Sequence, residues 1–271
     1  MTTQRLIGLW LCSFFVLTGC HSAPQTDSVP KSESTAVSDA LANPRTGRQP
    51  VVDPHNLLQN PSFELGLDGW KWLDWSKGWS AFKVSLDHAY DGIQSLHLPV
   101  ISADKRPTVV WGGVQELELS GDIPECIEGY YYVENWAAGN WKQYLQLVVI
   151  DLSHDLGPGM GQAQLRYIVS GSKEPPLTIS NASYLFAEKE RRDTPVLNRW
   201  THFSVNPRQD YIKSWNYTPG KGSKLRVLFE ARFDLHHTDI PARADVYYDG
   251  LYFGPKSAER CANLATDARD W

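Results

Sequence analysis

An all-β fold, an antiparallel β-sandwich with long loop insertions, is what this chain of 271 residues predicts. Three observations lead there. Strand-like runs recur at short spacing with turn residues between them. No segment carries a convincing amphipathic helix longer than two turns. Lys224 to Asp234 alternates clearly: Leu225, Val227, Phe229, Ala231 and Phe233 make one apolar face, and Arg226, Leu228, Glu230 and Arg232 make an opposite, mostly polar one. That pattern is a half-buried antiparallel strand.

The ends come first. Arg5 forms a short basic region, and Leu6 to Leu17 is apolar but too short for a comfortable membrane span. It runs into Leu17-Thr18-Gly19-Cys20, which resembles a bacterial lipobox. The resemblance implies a signal peptide over 1–19, cleavage before Cys20 and a diacylglycerol on its thiol. The alternative is an ordinary secretory signal with a chance cysteine. Several acyl chains on one residue give stable anchoring. His21 rather than Asp follows Cys20; by analogy with enterobacterial sorting, this favours the outer membrane of the cell envelope. Residues 21–52 are rich in Ser, Ala, Pro, Thr and Asp and hold no aromatic residue. They cannot bury enough apolar area to offset chain entropy and are expected to be a flexible tether. Residues 53–271 are left for the folded domain.

Without residues 1–19 the chain loses one base, Arg5, and no acid, so 25 basic groups face 31 acidic ones, a balance of −6. A general nucleic-acid binder needs a basic surface, and this is not one. Of four cysteines, Cys12 leaves with the signal and Cys20 is the lipid site. Cys126 and Cys261 remain in a compartment where disulfides persist. They are expected to form a bridge from an early loop to the C-terminal tail, with two separate free thiols as the alternative.

The expected strands are 81–86, 94–99, 109–118, 129–137, 143–151, 164–169, 183–187, 200–206, 224–234 and 245–253. Residues 152–199 run through Gly157-Pro158-Gly159, Lys173-Glu174-Pro175-Pro176 and a charge run from Glu188 to Asp193. Long surface loops around one or two added strands fit this stretch, and such loops often carry function.

Two short stretches frame the domain. The first is Asn56 to Glu64, with Asn60-Pro61-Ser62 as turn chemistry and Phe63 as a core anchor, followed by Asp68-Gly69-Trp70. The second is Asp245 to Phe253, where Val246, Tyr248, Gly250 and Tyr252 share one side of a strand and Tyr247, Asp249, Leu251 and Phe253 the other. Asp249 lies among apolar residues, and a buried carboxylate needs a partner or a metal. Together the stretches resemble the opening and closing strands of CenC-type carbohydrate-binding modules, jelly rolls of the galactose-binding-like type. Asp91-Gly92-Ile93-Gln94-Ser95-Leu96 adds to the resemblance, with a Gly turn leading into the second strand. The resemblance implies a jelly roll that binds a polysaccharide or other glycan. It also implies a structural calcium held in part by Glu64 and Asp249, with main-chain carbonyls completing the shell. Residues 152–199 depart from the family, whose modules are shorter.

Eleven tryptophans are more than a sandwich core readily hides. Trp70 and Trp200 sit in framework positions and are expected in the core. Trp72, Trp75, Trp79, Trp136 and Trp141 are the candidates for stacking on sugar rings. Gln115, Asn135 and Arg226 are candidate partners for hydroxyl groups. The plainer view is that most of these rings fill the core and the roots of the loops.

Binding without cleavage is the expectation. Glu116, Glu118, Glu134 and Glu230 are strand carboxylates, and Glu134 with Glu230 could face one groove, but no paired-carboxylate motif is recognisable. A glycoside hydrolase or polysaccharide lyase stays as the lesser alternative, beside a structural lipoprotein that docks an envelope protein. His236-His237 with Asp234 and Asp239 reads as a solvated loop, because adjacent side chains of an extended chain point apart.

Overall fold

The computed structural model describes residues 53–74, 79–101, 108–138, 142–171, 177–187, 193–234, 241–262 and 264. Cys20 and the tether lie outside the described residues, as do Trp75, Trp141, His236, His237 and Asp239. The elements are β1 (Trp79–Ser80), β2 (Lys83–Ser85), β3 (Ser95–Ile101), β4 (Thr108–Glu118), β5 (Cys126–Ala137), β6 (Lys142–Asp155), β7 (Gln162–Ser170), β8 (Leu177–Ile179), β9 (Ala182–Phe186), β10 (Thr201–Val205), α1 (Pro207–Trp215), β11 (Lys224–Asp234) and β12 (Arg243–Gly254).

They form a sandwich of two sheets. One has seven strands in the order β1-β4-β11-β6-β7-β9-β8, the other five in the order β10-β5-β12-β3-β2. Pairing is antiparallel except where β1 joins β4 and β9 joins β7. The segment 152–199 holds β7, β8 and β9, which extend the seven-stranded sheet to one edge.

The alternation of β11 is realised as expected. Leu225, Val227, Phe229, Ala231 and Phe233 are all buried between the sheets, and Phe229 lies opposite Gly113 on β4 and Leu147 on β6. The same parity sends Arg226, Leu228, Glu230, Arg232 and Asp234 to the outer face. Trp70 is core as expected, tilted against Phe63 with ring centroids 5.0 Å apart.

The opening and closing stretches meet. Asn56 Nδ2 donates to Leu251 O at 2.9 Å, Phe253 N donates to Asn56 Oδ1 at 2.9 Å, and Leu251 N donates to Pro61 O at 3.0 Å. The strict alternation expected for β12 fails at its end, where the register shifts between Asp249 and Tyr252 and Gly250 takes a left-handed φ of 58°. This bulge turns Leu251 and Phe253 into the core beside Val246 and Tyr248, while Asp249 keeps the outer side with Tyr247.

The sequence pattern missed one helix. Asn206 caps α1 by accepting from Gln209 N at 3.0 Å, Pro207 opens it, and Asn216 closes it with a left-handed φ of 56°. Only Pro207, Asp210 and Tyr211 are buried, so no apolar stripe announced it; its ends are set by the capping residues. Cys126 and Cys261 are joined, as expected, with Cα atoms 5.8 Å apart, tying the C-terminal tail to the start of β5.

Candidate functional site

Each sheet presents an outer face, and the two treat their polar groups differently. On the five-stranded sheet, β5 supplies Tyr130, Tyr132 and Glu134, β12 supplies Tyr247, β3 His97 and β10 His202. His88 and Tyr90, from the turn between β2 and β3, lie over them. The His88 ring stacks on Tyr132 at 4.1 Å, and Tyr90 stacks on Tyr130 at 3.5 Å. Trp200 belongs here, half-buried, 5.6 Å from Tyr132 and 6.0 Å from Tyr90; it is not in the core where the sequence placed it. The reason is that it precedes β10, at the rim of the outer face.

The polar groups of this face are paired, His97 Nδ1 excepted. His88 Nε2 meets Glu134 Oε2 at 3.2 Å, His97 Nε2 meets Asp245 Oδ1 at 2.9 Å, and His202 Nε2 meets Glu128 Oε2 at 3.2 Å. Asn135, exposed, donates from Nδ2 to Asp245 Oδ2 at 2.9 Å. Burial lowers the His97 pKa, with the Asp245 bond pulling the other way.

Glu64 and Asp249 flank the turn that leads into β3. Glu64 Oε1 accepts from Ile93 N and Gln94 N, both at 2.8 Å. Asp249 Oδ2 accepts from Tyr90 N at 2.6 Å and Asp91 N at 2.9 Å, and its Oδ1 from Gly250 N at 2.7 Å. Gly92, at φ 78°, makes this possible, because a Cβ there would collide with the Glu64 carboxylate. Burial raises the Asp249 pKa, and its three main-chain bonds work against that rise. Asp249 thus has the partners its burial demands in main-chain N–H groups. Calcium takes oxygen ligands, six to eight of them. Among the described residues, only Glu64 Oε2 of these four carboxylate oxygens has no hydrogen-bond partner.

Gln115 is turned inward. It is 4% exposed on the inner side of β4, where its Oε1 accepts from Gln59 N at 3.0 Å and its Nε2 donates to Gln59 O at 2.6 Å, clamping the opening segment. Trp136 is partly buried against the core, with its ring beside Gly171. Trp72 is 38% exposed at the sheet edge, edge-on to Phe82 at 6.0 Å.

The outer face of the seven-stranded sheet gathers the rest. Trp79 packs over Leu73, Val114, Val148 and Leu228. Its indole and the Glu230 side chain both crowd Gly112, where a Cβ would stand 3.0 Å from the ring and 3.1 Å from Glu230 Cγ. Glu230 lies opposite Gly112 on β4 and Gln146 on β6. It is 2% exposed, and Gln146 Nε2 donates to its Oε2. Arg232 follows on the same face. Its Nη2 is 2.6 Å from Asp234 Oδ1, its Nη1 4.0 Å from Glu230 Oε2, and its guanidinium stands 5.6 Å from the Tyr144 ring centre. Tyr144 Oη donates to Asp234 Oδ2 at 2.6 Å. Further along, Arg166 stands 5.6 Å from the Tyr184 ring centre. Arg226, at the other end, is held by Glu116 at 2.6 and 2.9 Å.

Two atoms here have no hydrogen-bond partner although buried: Gln146 Oε1 and Arg232 Nε. Buried polar groups are nearly always paired, so both are exceptions. Burial raises the Glu230 pKa above the ordinary carboxylate range, with the Arg232 and Arg166 charges and the Gln146 bond pulling it back. Of the sequence candidates, Trp79 and Arg226 are on this face. Gln146, Tyr144 and Arg166 were missed. Their signal was faint: polar or aromatic residues at alternate positions of otherwise apolar β6 and β7.

Glu134 and Glu230, which from sequence could face one groove, do not share one. Glu134 stands on the outer face of the five-stranded sheet and Glu230 on the outer face of the other, so the core lies between them.

No protein-family model matches the chain, and a search of curated proteins finds no match either. Several solved structures are similar to it. TmCBM61, solved in complex with β-1,4-galactotriose, is 12% identical over 74% of this chain and 99% of its own, with a TM-score of 0.39. CBM27-1 of Caldicellulosiruptor saccharolyticus, in complex with mannohexaose, is 13% identical over 73% of this chain and 97% of its own, with a TM-score of 0.37. CBM28, a carbohydrate-binding module specific for non-crystalline cellulose, is 16% identical over 76% of this chain and 99% of its own, with a TM-score of 0.36.

Proposed function

We propose that this protein binds a glycan chain on the outer face of its seven-stranded sheet. The observation that carries this reading is the pair Gln146 Oε1 and Arg232 Nε, an acceptor and a donor, both buried and both unpartnered, close to Glu230. A sugar hydroxyl donates and accepts at once, so it complements such a pair. Leaving either atom unpaired costs about 1–3 kcal/mol, which a bound hydroxyl recovers. Trp79 supplies an apolar ring beside the polar cluster, and Tyr144 and Tyr184 supply two more. A few fixed polar groups among aromatic surfaces are the recipe of a sugar site.

The test is retention on insoluble polysaccharides and on a glycan array, with the wild-type protein beside Trp79→Ala and Gln146→Leu. Selective retention by the wild type and its loss in both variants is the expected result. Absence of retention on every glycan overturns the reading.

Two further parts of the proposal are separate from the face. Cys20 carries the lipid that holds the domain at the outer membrane; metabolic labelling with palmitate should tag the wild type and not Cys20→Ser, and an unlabelled wild type removes the anchor. A structural calcium would take Glu64 Oε2, with other oxygens completing its shell. EDTA should then lower the melting midpoint, and Glu64→Gln should abolish that response. A midpoint indifferent to EDTA leaves the main-chain amides as the only clamp on this turn.

A further inference from the structure

We propose that the glycan held on the outer face of the seven-stranded sheet is acidic, a polymer carrying uronic acid units, and that Arg166 takes their carboxylate. The proposal rests on the glycan-binding reading and adds the substrate class to it.

Arg166 differs from the other cations of this face in having no acid of its own. Arg232 meets Asp234 at 2.6 Å, and Arg226 meets Glu116 at 2.6 Å. Lys71 reaches the other oxygen of Glu116 at 3.2 Å, and Lys224 lies opposite Glu118. Arg166 lies opposite Val148 on β6 and Tyr184 on β9, and among the described residues its side chain bonds to an uncharged amide alone. The chain as a whole is acidic, with a formal balance of −5, so this arginine is not one cation of a generally basic surface.

The geometry of the guanidinium suits a carboxylate. Gln164 Oε1 accepts from Arg166 Nε at 3.2 Å and from Nη2 at 2.7 Å, and the guanidinium stands 5.6 Å from the Tyr184 ring centre. An amide and a ring thus hold the planar head in place. Both bonds use the side of the fork that carries Nε. The edge between Nη1 and Nη2 is left, and such an edge receives a carboxylate through two parallel hydrogen bonds. Arg166 and Tyr184 are both half-buried, so this part of the face stays open to a polymer.

Its position fits as well. Val148, which lies under Trp79, is the cross-strand neighbour of Arg166. Neighbouring strands are about 4.8 Å apart. A glycan crossing the strands from Trp79 therefore meets Arg166 next, then Tyr184 and Leu177 in register on β9 and β8. Tyr184 and Leu177, the latter 40% exposed, offer apolar surface to the C–H side of a sugar ring while Arg166 takes its charge.

The experiment measures retention of the full-length protein on polygalacturonate and alginate, and on the same polymers after reduction of their carboxyl groups to alcohols. Neutral xylan and mannan, and dextran sulfate, are run beside them. The wild type should hold the uronate polymers, and carboxyl reduction should weaken retention about 10–100-fold, the scale of hydrogen bonds to a charged group. Arg166→Gln should lose the same factor on the uronate polymers and match the wild type on the reduced ones. Arg166→Lys should recover only part of the loss, because a point charge lacks the fork. Lys224→Gln, which removes a cation elsewhere on the face, should retain like the wild type. Equal retention on dextran sulfate, uronate retention that survives Arg166→Gln, or retention on neutral glycans alone overturns the inference and leaves the glycan-binding reading standing. If no polymer is retained, the binding reading falls and this one with it.

Discussion

The two outer faces of the sandwich are built from the same kinds of residue and reach opposite ends. The five-stranded face pairs His88 with Glu134, His97 with Asp245 and His202 with Glu128, and stacks its tyrosines on one another. Its chief leftover is His97 Nδ1. The seven-stranded face places Glu230, Arg232, Asp234 and Gln146 side by side and leaves a buried acceptor and a buried donor without partners. A saturated network rigidifies a fold; a partly unsaturated one holds back capacity for something else. The two faces thus differ in degree: one leaves a single ring nitrogen unpartnered, the other an acceptor and a donor on the residues that flank one carboxyl group.

Breaking the saturated side should cost stability and spare binding. The largest effect is expected from removing the disulfide that pins the tail to β5. A Cys126→Ser, Cys261→Ser double variant should lose about 2–4 kcal/mol in denaturant unfolding, since the bridge closes a loop with a sequence separation of 135. Glycan retention at low temperature should not change; a loss of retention would mean the two faces are coupled.

On the other side, Trp79→Ala should weaken glycan retention by about 10–100-fold, as expected for a buried aromatic anchor. Tyr132→Ala, on the saturated face, is the matched control and should retain glycan like the wild type. The reverse ranking would move the site to the five-stranded sheet.

A smaller effect follows from the histidines. The folded-state pKa of His97 lies below its ordinary 6.5 because burial disfavours the charged ring. A base with a depressed folded pKa resists protonation in the native state. Stability should therefore decline as pH falls below about 6.5. Replacing His97 with Gln should flatten that part of a melting-midpoint profile, and an unchanged slope would assign the acid response to other groups.

The smallest and sharpest test concerns Glu230. Its folded-state pKa is raised, so ionisation costs the native state free energy as pH climbs from about 4.5 through that raised value. Glu230→Gln should match the wild type in acid and exceed its melting midpoint at alkaline pH. A variant less stable at every pH would make Glu230 a structural residue.

Much of the frame was legible in the residues. The parity of β11 predicted which side chains face the core, because a strand's period of two leaves no freedom once one face is apolar. The opening and closing stretches were read as a pair, and hydrogen bonds from Asn56 to both Leu251 and Phe253 join them. The site was less legible. Gln115 looked like a ligand group and is a clamp on Gln59, because sequence does not say which backbone lies within reach of an amide. Trp200 looked like core and is at the rim of the outer face. Glu230 was noticed, but that it lies on the other sheet from Glu134 was not legible, because which strand neighbours which is a matter of sheet order.

By itself, the sequence determined the sandwich class, the strands and their faces, and the two cysteines left to pair. These follow from local rules of periodicity, turn chemistry and counting. Only the tertiary structure decided that β11 lies between β4 and β6, that Gln146 thereby meets Glu230, and that Glu134 is on the far side of the core. Hydrogen bonds act over about 3 Å, and these partners are brought that close by chain segments 84 residues apart.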